Sequence, residues 1–290
     1  MLKYRLLFGT LMILFFVGLI LVDGRLDGSI TAAGEDDKPI QASIFCFLIA
    51  VVNLLAVPEM RALAAQKEAK VFTPLAICGS VILATTWYWM QMSAEPAVFG
   101  LQYQLFAAAF LLLAIFLYQA VFFGTTGAIV NTSVTYLSIF YLGFLSSFVL
   151  GIRVAFGPWA LLMFIFTVKS ADTGAYAAGK MFGKHKFAPR ISPGKTWEGL
   201  AGGIILAAVT AVCFSVFCDI MPWPHAMLFG GVFAFLGQLS DLVESMLKRD
   251  AGRKDSSSNI PGFGGVLDIA DSLLCTAPVA YLFLSLVVCR

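Results

Sequence analysis

Leu105-Phe106-Ala107-Ala108-Ala109-Phe110-Leu111-Leu112-Leu113-Ala114-Ile115-Phe116-Leu117 lies at the centre of a run from 98 to 122 that carries no charge. A helix needs roughly 20 apolar residues to cross the hydrocarbon core of a bilayer, and this run supplies them. Eight further runs read the same way, at 6–22, 41–58, 71–90, 127–149, 155–177, 198–217, 225–248 and 266–287. The 290-residue composition agrees, with 60% hydrophobic and 12% charged residues, whereas a soluble domain carries charge on roughly a quarter of its residues. An ordinary soluble protein is excluded. The expected fold is an all-α polytopic integral membrane protein of about nine transmembrane helices.

Orientation follows from the basic residues. With the N-terminus cytoplasmic, fourteen Lys and Arg residues fall on the inside and four (Arg25, Lys38, Arg153, Arg290) outside, while Lys169 lies within a span. The C-terminus is then outside. Lys3 and Arg5 resemble the start of a signal peptide, but Val22-Asp23-Gly24 offers no small-x-small cleavage site, so an uncleaved first helix is expected. The 23–40 segment, with Asp23, Asp27, Glu35, Asp36 and Asp37, reads as an exterior, solvated connector. A net charge of only +2 gives no basic field for a nucleic-acid partner. Six cysteines without C-x-x-C spacing read as small apolar residues, and His185 and His225 supply no zinc signature.

Residues 1–150 read as a scaffold of about five helices without a motif, and 151–290 as the catalytic region, with cytoplasmic loops at 180–197 and 249–265. Charges at membrane depth are expensive and are functional candidates by default. In the eighth run Asp241, Glu244, Ser245 and Lys248 stand at i, i+3, i+4 and i+7, on one helix face. An intrahelical salt-bridged face is the bland alternative, disfavoured because a membrane helix rarely spends two carboxylates on mere solubility. The ninth run opens with Asp268 and Asp271, at i and i+3. The helix dipole accounts for Asp268 but fades beyond the first turn, so Asp271 asks for another reason. Together with Asp241 the two form an all-oxygen cluster suited to Mg²⁺ or Mn²⁺.

Between those helices, Lys248, Arg249, Arg253 and Lys254 bring positive charge, Ser256, Ser257, Ser258 and Asn259 bring donors, and Gly262, Gly264 and Gly265 permit close backbone approach. Such a loop suits phosphate oxygens, although basic loops also serve topology and headgroup attraction. In the other loop Gly194-Lys195-Thr196 tempts a Walker A reading, but Pro189 stands where that pattern needs Gly, and a membrane helix precedes it. Lys195 and Thr196 ahead of a helix start still suit phosphate. Asp172 and Tyr176, near the end of the sixth run, can face the same cavity. Two basic loops and a carboxylate cluster on one side describe a meeting place for a soluble polyphosphate and a lipid, hence metal-assisted phosphoryl or nucleotidyl transfer.

These residues resemble a known family. Ser245, Leu247, Lys248, Arg249, Lys254, Asp255, Ser257, Ile260, Pro261, Gly264, Gly265, Asp268 and Asp271, at their spacing, are similar to the C-terminal signature of the phosphatidate cytidylyltransferases, the CDP-diacylglycerol synthases. Asp172, Ala175, Tyr176 and Gly179, followed by Ile191, Ser192, Pro193, Lys195, Thr196, Glu198 and Gly199, resemble that family's other shared region. Phe263 stands where the family usually has histidine, and Ile269 where it usually has arginine. The resemblance covers roughly the last 120 residues. It implies the reaction CTP + phosphatidic acid → CDP-diacylglycerol + pyrophosphate at the cytoplasmic face of a bacterial inner membrane.

On that footing Asp241, Asp268 and Asp271 are expected to hold Mg²⁺, with a second cation open alongside. Lys195, Lys248, Arg249 and Lys254 would neutralise the nucleotide phosphates and leaving pyrophosphate, and Asp255 would join the catalytic group. Asp172, Tyr176, Ser192, Thr196, Ser245, Gly264 and Gly265 would contact substrate. Gly199 and Gly203, a small-x3-small pair, permit close helix packing or a homodimer. The alternatives are a CTP-dependent polyprenol or lipid kinase, which would release CDP, and a secondary transporter, which predicts an inverted repeat with polar residues in both halves. A CDP-alcohol phosphotransferase is disfavoured because its D-G-x2-A-R spacing is absent around Asp268.

Overall fold

The computed structural model describes residues 2–30, 38–93, 96–257 and 264–288. Its helices are α1 (Leu2–Asp27), α2 (Ser43–Ala64), α3 (Thr73–Ala84), α4 (Thr86–Met90), α5 (Pro96–Phe122), α6 (Ala128–Ser138), α7 (Leu145–Phe182), α8 (Trp197–Cys218), α9 (Trp223–Asp250), α10 (Val266–Leu274) and α11 (Ala277–Val287). Large apolar side chains such as Phe106, Phe110, Val121 and Phe217 point outward, as expected where the surrounding solvent is lipid.

All nine runs are helical, but among the described residues seven helical stretches are long and apolar enough to span a membrane. Two local features account for the difference. The runs at 127–149 and 155–177 belong to one helical stretch, Ala128–Phe182, in which a π turn over Ile139–Phe144 joins α6 to α7 and Gly157 (φ 81°, ψ 178°) breaks α7. That backbone conformation suits glycine, and Pro158 restarts the helix with no N–H to satisfy. Phe148 and Phe156 both meet Tyr281, whereas Lys169 meets Ile269 and Ser272, so the chain doubles back at Gly157. The run at 71–90 is broken at Thr85. The hydroxyls of Thr85 and Thr86 donate to Val81 O (2.8 Å) and Leu83 O (2.7 Å), a competition that unsettles the helix.

The all-α fold carries one short hairpin in a loop. Within the 180–197 loop, β1 (Lys186–Ala188) pairs antiparallel with β2 (Ser192–Thr196), and the Phe187 ring meets Trp197 edge to face at 4.7 Å. Pro189 turns the chain, and the two short segments satisfy each other's backbone groups.

Of the segment read as a solvated connector, Glu35, Asp36 and Asp37 lie outside the described residues, and its first two acids are not solvated. Asp23 and Asp27 lie on the last turns of α1 and are 2% and 6% exposed. Both pair with the fully buried Arg153, at 2.9 and 2.7 Å. They also accept the backbone N–H groups of Ile44 and Ala42 that open α2, tying three helices together at that end. At the other end Lys67 pairs with Asp250 at 2.9 Å.

The two halves of the chain share a core. One apolar cluster joins Val57 and Met60 of α2 and Ile139 and Leu142 of the π turn to Leu267 and Leu274 of α10. Glycines bring α7 and α8 together. A Cβ on Gly174 would stand 2.7 Å from Gly202 O, and one on Gly199 or Gly203 2.8 Å from Ala175 O or Ala171 O. The Gly199 and Gly203 face is therefore used within the chain, not left open for a second copy. Of the cysteines, Cys46 is buried while Cys78 and Cys213 are exposed.

Candidate active site

The ionisable face of α9 forms as its spacing requires, and each member has a defined neighbour. Asp241 receives Lys195 at 2.7 Å. Fully buried Glu244 pairs with Lys248, whose ammonium also reaches Asp268 Oδ1 at 2.6 Å. Ser245 shares the face. The salt-bridged reading is thus satisfied at Glu244 and Lys248, one i, i+4 pair. Asp241 is different, because its charge is matched from another element.

Asp268 behaves as a clasp. Its Oδ2 accepts the Gly265 N–H (2.7 Å), the Ser256 N–H (3.0 Å) and the Ser256 hydroxyl (2.8 Å), while Oδ1 takes Lys248. This is a helix N-terminal cap closing from the third helical residue onto the residue before the helix. A second carboxylate completes it from the first half of the chain. Glu59 of α2 accepts the N–H groups of Val266 (3.0 Å) and Leu267 (2.9 Å) and the hydroxyls of Ser256 (3.0 Å) and Ser257 (2.9 Å). The glycines serve this packing. A Cβ on Gly264 (φ 91°) would stand 2.5 Å from Asp268 Oδ2, and one on Gly265 would collide with Ser256 Oγ and Glu59 Oε2. Their space is filled by carboxylates of the protein itself.

One turn further along α10, Asp271 leaves the capping group and joins Asp241 instead. The Ser240 hydroxyl donates to the Asp271 backbone carbonyl, which sets Asp271 beside Asp241, the next residue of α9. Around them, Lys195 donates to Gln238 O (3.0 Å), Gln238 Nε2 donates to Asp172 Oδ1 (3.0 Å), and Lys169 stands 3.9 Å from Asp271 Oδ1. The cluster holds one more carboxylate (Asp172, Asp241, Asp271) than ammonium (Lys169, Lys195). Like charges this close repel unless a cation or a shared proton sits with them. The side chains of Asp241 and Lys169 are 31% and 36% exposed, so a ligand can reach the cluster.

The expected metal set of Asp241, Asp268 and Asp271 is not assembled. Among the described residues no group of three or more His, Cys, Asp or Glu side chains could hold a metal ion. The physical reason is that Asp268, in the first turn, is consumed by backbone amides and Lys248. Asp241 and Asp271 remain as a two-carboxylate oxygen set. That chemistry fits a hard divalent cation, which commonly takes one or two protein carboxylates and completes its shell with phosphate oxygens and water.

Other expected residues lie apart from this centre. Tyr176 is 72% exposed, its ring 5.9 Å from Lys180 Nζ. Ser192 sits at the start of β2. Thr196 is buried and caps α8 by accepting the Gly199 N–H at 3.1 Å, so the phosphate role expected of it is taken by its own helix. Arg249 is exposed and donates to Arg253 O at 3.3 Å, and Lys254 and Asp255 are exposed on the loop. Ser258, Asn259, Ile260, Pro261, Gly262 and Phe263 lie outside the described residues. Three members of the site were not expected from the sequence: Glu59, Lys169 and Gln238. The available signal was charge within apolar helices, at Glu59 in α2 and at Lys169 in α7.

The sequence model of the cytidylyltransferase family matches residues 3–287. The phosphatidate cytidylyltransferase of Haemophilus influenzae is 46% identical over 124 residues, 41% of this chain and 43% of that protein. That of Bacillus subtilis is 47% identical over 118 residues, 40% and 44%, and that of Pseudomonas aeruginosa 45% over 114 residues, 39% and 42%. The chain spans about two fifths of the length of the curated relatives it matches.

Proposed function

The chain belongs to the cytidylyltransferase family, and from that premise we propose that it transfers the cytidylyl group of CTP to phosphatidic acid, releasing pyrophosphate and leaving CDP-diacylglycerol in the membrane. The observation that carries this reading is the Asp241–Asp271 carboxyl pair, flanked by Lys195 and Lys169 and open to one side. The names of the relatives above support the choice of substrates.

The residues suit the chemistry. The phosphate monoester of phosphatidic acid is already ionised at neutral pH, so its oxygen attacks the α-phosphorus of CTP without a general base. The bond between the α-phosphorus and the bridging oxygen breaks, and pyrophosphate carries away the electron pair. Lys195 and Lys169 balance charge beside the carboxylates, while the exposed Arg249 at the end of α9 and Lys254 on the loop meet the departing phosphates. Gln238 orients Asp172 and Lys195 from one backbone position. Asp241 and Asp271 would hold Mg²⁺, which when bound supplies Lewis-acid polarisation of phosphate oxygens. Asp268 and Glu59 position the loop and the helix and do not touch the reacting atoms.

The placement of fourteen of nineteen basic residues on one side supports a cytoplasmic N-terminus, an outside C-terminus and a site facing the cytoplasm. A bacterial inner membrane is the setting that fits. The test is incubation of the purified protein with phosphatidic acid, cytidine-labelled CTP and Mg²⁺. Label entering the lipid phase with release of pyrophosphate is the expected result. Label remaining in water as CDP, with a newly phosphorylated lipid, would replace this reading with a lipid kinase.

A further inference from the structure

Helix α10 carries Asp268 and Asp271 and no basic residue between Val266 and Leu274. Each carboxylate must take its counter-charge from another helix. Asp268 takes Lys248 of α9, and Asp271 faces Lys169 of α7. The second pairing has an unusual form. Lys169 Nζ donates to Ile269 O at 2.8 Å and to Ser272 Oγ at 2.7 Å, and stands 3.9 Å from Asp271 Oδ1. An ammonium that only neutralised a carboxylate would close onto it. This one spends two of its three donors on the backbone and hydroxyl either side of Asp271, so its distance from the carboxylate is set by α10 itself.

We propose that Lys169 is a positioning residue that holds α10 against α7 and, by its fixed positive charge, lowers the affinity of the Asp241–Asp271 pair for a divalent cation, keeping that cation exchangeable with its nucleotide complex. The proposal rests on the reading of that pair given above. Removing the charge while keeping a donor leaves the carboxylates less balanced, so the pair attracts a cation more strongly. A purely structural lysine would do the opposite, because loosening α10 separates the carboxylates.

The test uses the full chain in lipid vesicles, with Lys169→Gln as the principal variant and Lys169→Met should the first not fold. Mn²⁺ binding without nucleotide is measured by electron paramagnetic resonance, and kcat and KM for CTP by label transfer. The expected result is Mn²⁺ affinity raised about tenfold and kcat lowered at least tenfold, with Lys169→Arg returning both toward wild type. Unchanged or weakened Mn²⁺ affinity in the folded variant overturns the proposal, as does a wild-type protein that binds no Mn²⁺. A wild-type protein that binds Mn²⁺ but transfers no cytidylyl group sinks the functional reading, while the affinity comparison still decides Lys169.

Discussion

Glu59, near the end of α2, accepts the backbone N–H of Leu267 at the start of α10, 2.9 Å away and 208 residues further along the chain. It is 3% exposed and binds the adjacent Val266 N–H and two serine hydroxyls as well. Buried donors deprived of their acceptor cost about 1–3 kcal/mol each. Glu59→Ala should therefore lower the thermal midpoint clearly and expose the 250–257 loop to protease. A midpoint and cleavage pattern matching wild type would show that α10 is capped by something else.

The carboxylates of α10 should separate by experiment. Asp271→Asn and Asp241→Asn are expected to reduce label transfer by about a hundredfold or more and to weaken Mn²⁺ binding, with the fold retained. Asp268→Asn should instead destabilise the protein while leaving Mn²⁺ affinity within about twofold, because Asp268 holds amides and Lys248. Loss of Mn²⁺ binding in a folded Asp268→Asn protein would restore the three-carboxylate metal set.

Gly265→Ala places a methyl group against Ser256 Oγ and Glu59 Oε2. Overpacking of this kind costs about 1–3 kcal/mol, and here it also pushes the clasp apart. Reduced stability with reduced transfer is expected in detergent-solubilised protein. Gly252→Ala is the useful comparison, since a Cβ there meets nothing within 4 Å, leaving only the strain of its positive φ of 66°. Gly265 has an extended backbone (φ −106°) that alanine adopts freely, so wild-type stability in Gly265→Ala would refute the crowding.

At the far end of the bundle, Arg153→Met leaves Asp23 and Asp27 buried beside each other without their cation. Breaking a buried ion pair from one side costs about 3–5 kcal/mol. The variant should unfold at markedly lower temperature, yet the folded fraction should keep wild-type kcat, because the cluster lies away from Asp241. A kcat change without a stability change would refute the assignment of a purely structural role.

Much of this is legible in the sequence, since apolar length alone marks helices that must satisfy their backbone internally in lipid. The face of α9 and the pair at the start of α10 followed from helical spacing in the same way. Spacing on one helix cannot say which way a carboxylate turns between neighbours. Asp268 and Asp271 share a face by period, but one closes on the amides of its own helix start and the other on Asp241. Gly264 and Gly265 suggested room for phosphate, and the room is taken by Asp268 and Glu59. The separate runs at 127–149 and 155–177 imply a reversal between them, and the structure places the break at Gly157.

From its sequence alone this chain is a helical membrane protein with its ionisable chemistry gathered on one side, because hydropathy and charge are local properties that lipid enforces residue by residue. Only the tertiary structure decided which charges meet. Glu59 reaches α10 across 208 residues, Lys169 tethers itself beside Asp271, and Asp268 is withdrawn from the cation site. These pairings depend on how helices distant in sequence are packed. A buried charge is settled by whichever partner that packing brings within reach.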